Sequence, residues 1–177
     1  MLAIVSACLL GINCRYDGGN VVDERLIEAV RSGKIVPIPV CPEQLSGLPT
    51  PRKTCEIVNG DGFDVLKGKA KVLTRDGDDL TEVFIKGANE VLKIAKLVNA
   101  KIAIMKNYSP SCGCGTIYDG SFTGGKRSGY GVTSALLMLN GIRVMDVEGF
   151  CNTIGSVSNM KNETVKSDGD SVGQKDQ

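Results

Sequence analysis

The chain has no histidine, no tryptophan and only four tyrosines and four phenylalanines. So few aromatic residues leave no obvious platform for stacking nucleic-acid bases. No excess of charge compensates: 21 Lys and Arg face 20 Asp and Glu, without a basic run, so long nucleic acid is not an indicated partner. No apolar run approaches the roughly 20 residues that a membrane-spanning helix needs. The opening Met1-Leu-Ala-Ile-Val-Ser6 has no basic region before its apolar residues and reads directly into a strand. No signal peptide and no membrane are therefore expected, and the cytoplasm is the expected location. There is no internal repeat, and no pattern points to a particular oligomeric state.

What the chain does have is seven cysteines in 177 residues. In a reducing compartment, several thiols point to metal or catalysis more than to disulfides. An apolar content of 42% and a charged content of 23% suit one globular domain. That domain is expected over residues 1–150. Residues 151–177 are rich in Ser, Asn, Lys, Asp and Gly and predict a polar, disordered tail.

Continuous apolar residues at 2–5 predict a strand buried on both faces. Residues 35–40 predict a second strand, placed at an edge because Pro37 and Pro39 remove ladder donors. Residues 102–105 predict a third strand and 142–146 a last one. Helices are expected from Asp23 to Ser32, from 80 to 98 on a stripe of Leu80, Phe84, Ala88, Val91, Ala95 and Val98, and from 131 to 139. Residues 56–59 and 70–74, flanked by Asn-Gly and Asp-Gly turns, predict a small β-hairpin excursion. Residues 8–20, 41–54 and 109–129 read as long loops. The alternation predicts an α/β, three-layer fold with a mainly parallel sheet and long loops at the strand carboxyl ends.

Cys8, Cys41 and Cys112 each follow one of the predicted core strands. In a parallel sheet the strand carboxyl ends share one crevice, so these distant thiols are expected to meet there. A lone cysteine is ordinarily a small buried apolar residue; three at strand ends point to a shared metal site. With no His and no C-x2-C pair, an ordinary zinc site is less expected, although soft thiolates suit both zinc and an iron–sulfur cluster. Three thiols would leave a coordination position open. Cys14, Cys55 and Cys114 are the candidates for a fourth thiol, with Cys114 nearest in sequence to a proposed ligand, while Cys112-Gly-Cys114 reads alternatively as a redox pair.

Other residues frame these thiols. Glu43, in Cys41-Pro-Glu43, is a candidate general acid or base or, more blandly, a cap on a loop amide. Ser109 and Ser111 are candidates to orient a substrate or water, or to bond their own loop's amides. Arg15 and Asp17 are candidates either to organise the first loop or to meet a ligand. Gly120 to Arg127 nearly spells a P-loop, but Arg127 stands where the magnesium-binding Ser or Thr belongs, so nucleotide hydrolysis is not expected.

The motifs Ser6-Ala-Cys8-Leu-Leu-Gly11, Arg15-Tyr-Asp-Gly18, Cys41-Pro-Glu43, Leu48-Pro-Thr-Pro-Arg52, Ser109-Pro-Ser-Cys-Gly113, Tyr118-Asp-Gly-Ser-Phe122 and Gly129-x-Gly-Val-Thr133 together resemble a bacterial family long known only as a domain of unknown function, whose members include thiouracil desulfidases. The resemblance spans about residues 2–146. It implies a 4Fe-4S cluster held by Cys8, Cys41 and Cys112, with the remaining iron free to take the sulfur of a small thiolated substrate such as 2-thiouracil. It implies assisting roles for Glu43 and for Ser109 or Ser111. An exposed cluster is easily lost in air or replaced by zinc. The competing readings are a structural zinc or cluster site, and sulfur transfer to a larger acceptor such as transfer RNA.

Overall fold

The computed structural model describes residues 1–154. In chain order the elements are β1 (Leu2–Ser6), α1 (Glu24–Arg31), β2 (Val36–Val40), α2 (Pro42–Leu45), β3 (Cys55–Val58), α3 (Gly62–Leu66) and β4 (Lys71–Thr74). They continue with α4 (Thr81–Leu97), β5 (Ile102–Ile104), β6 (Thr116–Tyr118), β7 (Lys126–Ser128), α5 (Val132–Leu139) and β8 (Arg143–Met145). A single 3-10 turn, Ala7–Leu10, follows β1 directly.

The main sheet has the order β2-β1-β5-β8, and every pairing in it is parallel. Side chains alternate across it, as the two-residue period of a strand requires. Ala3, Val5, Ile102 and Ile104 face one way, onto Leu26 and Ala29 of α1 and onto Val147 and Phe150. Ile4, Ala103 and Met105 face the other way, onto Val91, Leu92 and Ala95 of α4 and Leu137 of α5. The result is the expected three-layer α/β arrangement. With both faces covered, each large aliphatic side chain removed from water contributes about 1.5–3 kcal/mol. The Pro-containing β2 lies at an edge, where its missing N–H groups cost the ladder least.

Several segments carry more structure than their composition suggests. The 41–54 loop contains α2. The expected hairpin is real as an antiparallel β3–β4 pair, but α3 is inserted between its strands. Asp61 caps α3 by accepting from the Phe63 and Asp64 N–H groups, and the Asp64 carboxylate accepts from the Asp61 N–H, so the pair forms a capping box. The 109–129 loop folds into a second antiparallel pair, β6–β7. Lys126 begins β7, so no helix follows the Gly-rich run as a P-loop would require. Residues 147–154 are helical, and Cys151 and Ile154 pack on the core that also holds Phe150. The expected tail boundary at 151 is therefore too early; the rest of that segment lies outside the described residues. Among the described residues no helix is long and apolar enough to cross a membrane.

One close approach positions the site. A Cβ at Gly87, in the middle of α4, would overlap the Pro42 carbonyl. Glycine is what lets α4 pack flush against α2, the short helix that follows Cys41. Gly87→Ala is expected to force α2 outward at a cost of about 1–3 kcal/mol. Thermal unfolding of the variant should show the loss.

Candidate functional site

Three neighbouring strands, β2, β1 and β5, deliver the site at their carboxyl ends. A cavity of about 460 Å³ opens there, lined by five of the seven cysteines: Cys8, Cys14, Cys41, Cys55 and Cys112. Cys8 sits in the 3-10 turn that continues β1, and Cys41 is the N-cap residue of α2, directly after β2. Cys112 lies in the loop that β5 launches, which is seated against α5. The N–H groups of Val132 and Thr133 donate to the Pro110 and Ser111 carbonyls, and Ser134 Oγ donates to the Cys112 carbonyl at 2.7 Å. Gly131 permits this seating, because a Cβ there would overlap the Ser111 carbonyl.

Three of these thiols, Cys8, Cys14 and Cys41, pack as one group. Cys14, itself 2% exposed, sits against Cys8 and Cys41, and Cys41 Sγ donates to the Cys14 carbonyl. The nearby Cys41 thiol draws the Cys14 thiol down, but Cys8 and burial outweigh it and leave it raised to about 11. Cys41 is raised by Cys14 and by burial. Burial pushes Cys112 up as well, against the pull of the neighbouring Ser6 hydroxyl. As free thiols these groups hold their protons, so binding a metal must release them. Among the described residues, no three Cys, Asp or Glu side chains are gathered around one point as a single ion requires. The thiols border a space instead. Cys114 and Cys151 do not line the cavity, so nearness in sequence to Cys112 does not bring Cys114 to the site.

Glu43 and Arg52 line the same cavity and form a nearly buried ion pair, 15% and 6% exposed. Arg52 reaches Glu43 Oε2 through both Nε and Nη2, and its Nη2 also donates to the Cys14 carbonyl at 3.0 Å. One guanidinium thus ties the carboxylate to the thiol group. Glu43 Oε1 has no hydrogen-bond partner among the described residues.

Ser109 lines the cavity and Ser111 does not. Ser109 Oγ accepts from the Ser111 and Cys112 N–H groups at 3.1 and 3.0 Å, which leaves its own proton available. Ser111 is fully buried, and its hydroxyl is engaged with Thr133 Oγ1 at 2.9 Å, so it belongs to the packing of α5. Ser109→Ala is expected to strand two amides and cost about 1–2 kcal/mol, visible in thermal unfolding. Arg15 lines the cavity. Asp17 does not: it is exposed and pairs with Arg15 at 3.1 Å, which holds its carboxyl below the ordinary range.

Residues without an assigned role in the sequence reading also meet here. Arg52 closes the Leu48-Pro-Thr-Pro-Arg52 motif. Ser6 Oγ accepts from the Lys106 N–H at 3.0 Å and donates to Met105 Sδ at 3.7 Å. Among the described residues Lys106 has no carboxylate partner; its Nζ donates to the Asn107 carbonyl and lies 5.1 Å from the Tyr108 ring, and burial lowers its pKa. Over the mouth, Glu56 accepts from the Gly120 and Phe122 N–H groups, and Arg75 donates to the Phe122 carbonyl. These bonds latch the β6–β7 pair onto β3–β4. Only tertiary pairing reveals this second group, whose members are ordinary loop residues in sequence.

A model of the 2-thiouracil desulfurase family matches residues 3–149. The uncharacterized protein YbbK of Bacillus subtilis (strain 168) is 47% identical over 144 residues, covering 81% of this chain and 94% of that protein. The solved structure of a [4Fe-4S]-dependent thiouracil desulfidase, TudS, superposes with a TM-score of 0.74 at 36% identity, covering 88% of this chain and 97% of that one.

Proposed function

Because this chain belongs to the 2-thiouracil desulfurase family, we propose that it removes sulfur from a thiolated pyrimidine or similar thioamide, converting 2-thiouracil to uracil and sulfide without net redox change. The observation that carries the reading is that Cys8, Cys41 and Cys112 share one cavity with Glu43 and Ser109. A donor set of thiols alone, bordering a space wider than one ion, fits a 4Fe-4S cluster, and Cys8, Cys41 and Cys112 would hold it. When bound, such a cluster with an open iron supplies a Lewis acid toward the substrate's thione sulfur.

The chain's own residues supply the rest. Glu43, fixed through Oε2, offers Oε1 to take a proton from the attacking water. Ser109, whose oxygen is occupied by two amides, directs its proton to a carbonyl or ring nitrogen of the base. Lys106, cationic and half-buried without an acidic partner among the described residues, stabilises negative charge that develops on the substrate. Water oxygen bonds to the carbon, the carbon–sulfur bond breaks, and sulfur departs as sulfide. The substrate is a small molecule, and a cytoplasmic setting suits the free thiols.

The test is anaerobic incubation of reconstituted protein with 2-thiouracil, with uracil followed by chromatography and sulfide by colorimetric assay. Both are expected to form in equal amounts. Neither forming, while the cluster's visible absorption persists, would reject thiouracil as a substrate.

A further inference from the structure

The chain holds few aromatic side chains, and half of them meet at one place. Of its four tyrosines and four phenylalanines, Tyr16, Tyr108, Tyr118 and Phe122 line the thiol cavity. Three of these rings are already engaged. The Arg15 guanidinium lies 5.4 Å from the Tyr16 ring, the Lys126 ammonium lies 4.2 Å from the Tyr108 ring, and Tyr118 sits tilted against Tyr108 with 6.3 Å between centroids. Phe122 differs. Among the described residues its ring has no aromatic or cationic partner, and it belongs to none of the apolar clusters that hold the fold together. Its backbone, by contrast, is held at both polar atoms. The buried Glu56 carboxylate accepts from the Phe122 N–H at 3.1 Å and from the Gly120 N–H at 2.9 Å, and Arg75 donates to the Phe122 carbonyl at 2.9 Å. Phe122 is fixed at a φ of 58°, a left-handed conformation that a bulky side chain seldom adopts. Such conformations persist only where the surroundings impose them, and they gather at ligand clamps. The anchors act on the main chain, and the ring is left to the cavity.

We propose that Phe122 is the residue on which the substrate ring stacks, a fixed aromatic cover over a planar heterocycle, and that Glu56 and Arg75 are the positioning residues that aim it. This rests on the desulfidase reading above and extends it from the sulfur to the ring that bears the sulfur. A thione sulfur alone does not distinguish a pyrimidine from an open-chain thioamide, whereas an aromatic face does. A conjugated ring offers a π-face that stacks on a phenyl ring whatever its substituents, and that contact is worth on the order of 10-fold or more in affinity. The site therefore prefers flat, conjugated thioheterocycles to open-chain thioamides. Phe122 carries no group that exchanges a proton, so its contribution falls on binding and not on the chemical step.

The test combines binding and kinetics on anaerobically reconstituted protein. Uracil carries the ring without the sulfur, so its dissociation constant, measured by equilibrium dialysis, reads the ring contact alone. Phe122→Leu keeps an apolar side chain but loses the π-face. It is expected to weaken uracil binding and to raise KM for 2-thiouracil by about 10-fold, with kcat within about twofold of the parent. Phe122→Tyr keeps the face and should bind as the parent does. Glu56→Ala should reproduce the weakening, whereas Glu56→Gln, whose amide oxygen can accept from the same two N–H groups, should restore tight binding. Phe122 lies outside the apolar clusters, so its replacement should leave the thermal melt unchanged. A Phe122→Leu variant that binds uracil and converts 2-thiouracil with the parent's constants overturns the proposal and leaves the desulfidase reading intact, as does a loss confined to kcat. A parent protein that holds its cluster yet neither binds uracil nor converts 2-thiouracil overturns both.

Discussion

Replacing Cys112 with alanine is expected to abolish retention of the cluster and to lower desulfidation by more than about 100-fold. Losing residues that merely stand behind metal ligands already costs 10–100-fold, so loss of a ligand should cost more. The fold should survive. Cys112 is 6% exposed, and its loop is held by main-chain bonds to α5 and by Ser109, none of which uses the sulfur. Removing one buried sulfur leaves a small cavity, worth about 1 kcal/mol. Iron and sulfide analysis beside a thermal melt separates the two effects. A variant that folds and binds iron like the parent rejects Cys112 as a ligand.

Arg52→Ala is expected to produce the largest loss of stability among single changes at the site, about 3–5 kcal/mol. Removing one partner of a buried ion pair leaves the other charge without compensation, and here Glu43 would be left so. For a domain of this size each kcal/mol moves the melting temperature by about 2–4 °C, so a fall on the order of 10 °C should be seen. The Cys14 carbonyl and the Pro49 and Thr50 contacts of the guanidinium are lost at the same time. Arg52→Lys keeps the charge but not the planar fork and should recover only part of the loss. Combining Arg52→Ala with Glu43→Gln should be less costly than the two single losses summed, because the stranded charge is gone. Additive losses would show that the pair does not act as a unit.

Much of the framework is legible in the chain. Apolar runs buried on both faces, the apolar stripe of α4 and the edge position of the Pro-rich β2 follow directly from side-chain period and backbone chemistry. From them comes the shared crevice for Cys8, Cys41 and Cys112. The short elements are less legible. α2, β6 and β7 span three to four residues each, too few for a period to show, and they exist because of what they pack against. The serines illustrate the same boundary. Ser109 and Ser111 are two residues apart and alike in sequence, yet only tertiary contact with Thr133 decides that Ser111 turns into the core while Ser109 faces the cavity. The cysteines divide likewise. Cys14 joins the site through a turn in the first loop, whereas Cys114, only two residues from Cys112, packs against the core between the sheet and α4 and α5.

The parallel order β2-β1-β5 has a consequence for biosynthesis. Cys8 and Cys41 leave the ribosome early, but β5 must pair beside β1 before Cys112 can join them, and α5 must then seat its loop. Phe150, fully buried beneath the same sheet, completes the face opposite α4 and α5. The thiol cavity therefore cannot exist on a nascent chain that lacks its last third. Loading of the proposed cluster would then be a step that follows translation and acts on a folded recipient, so a cell starved of iron should accumulate this protein as a folded apoprotein and not as an unfolded chain.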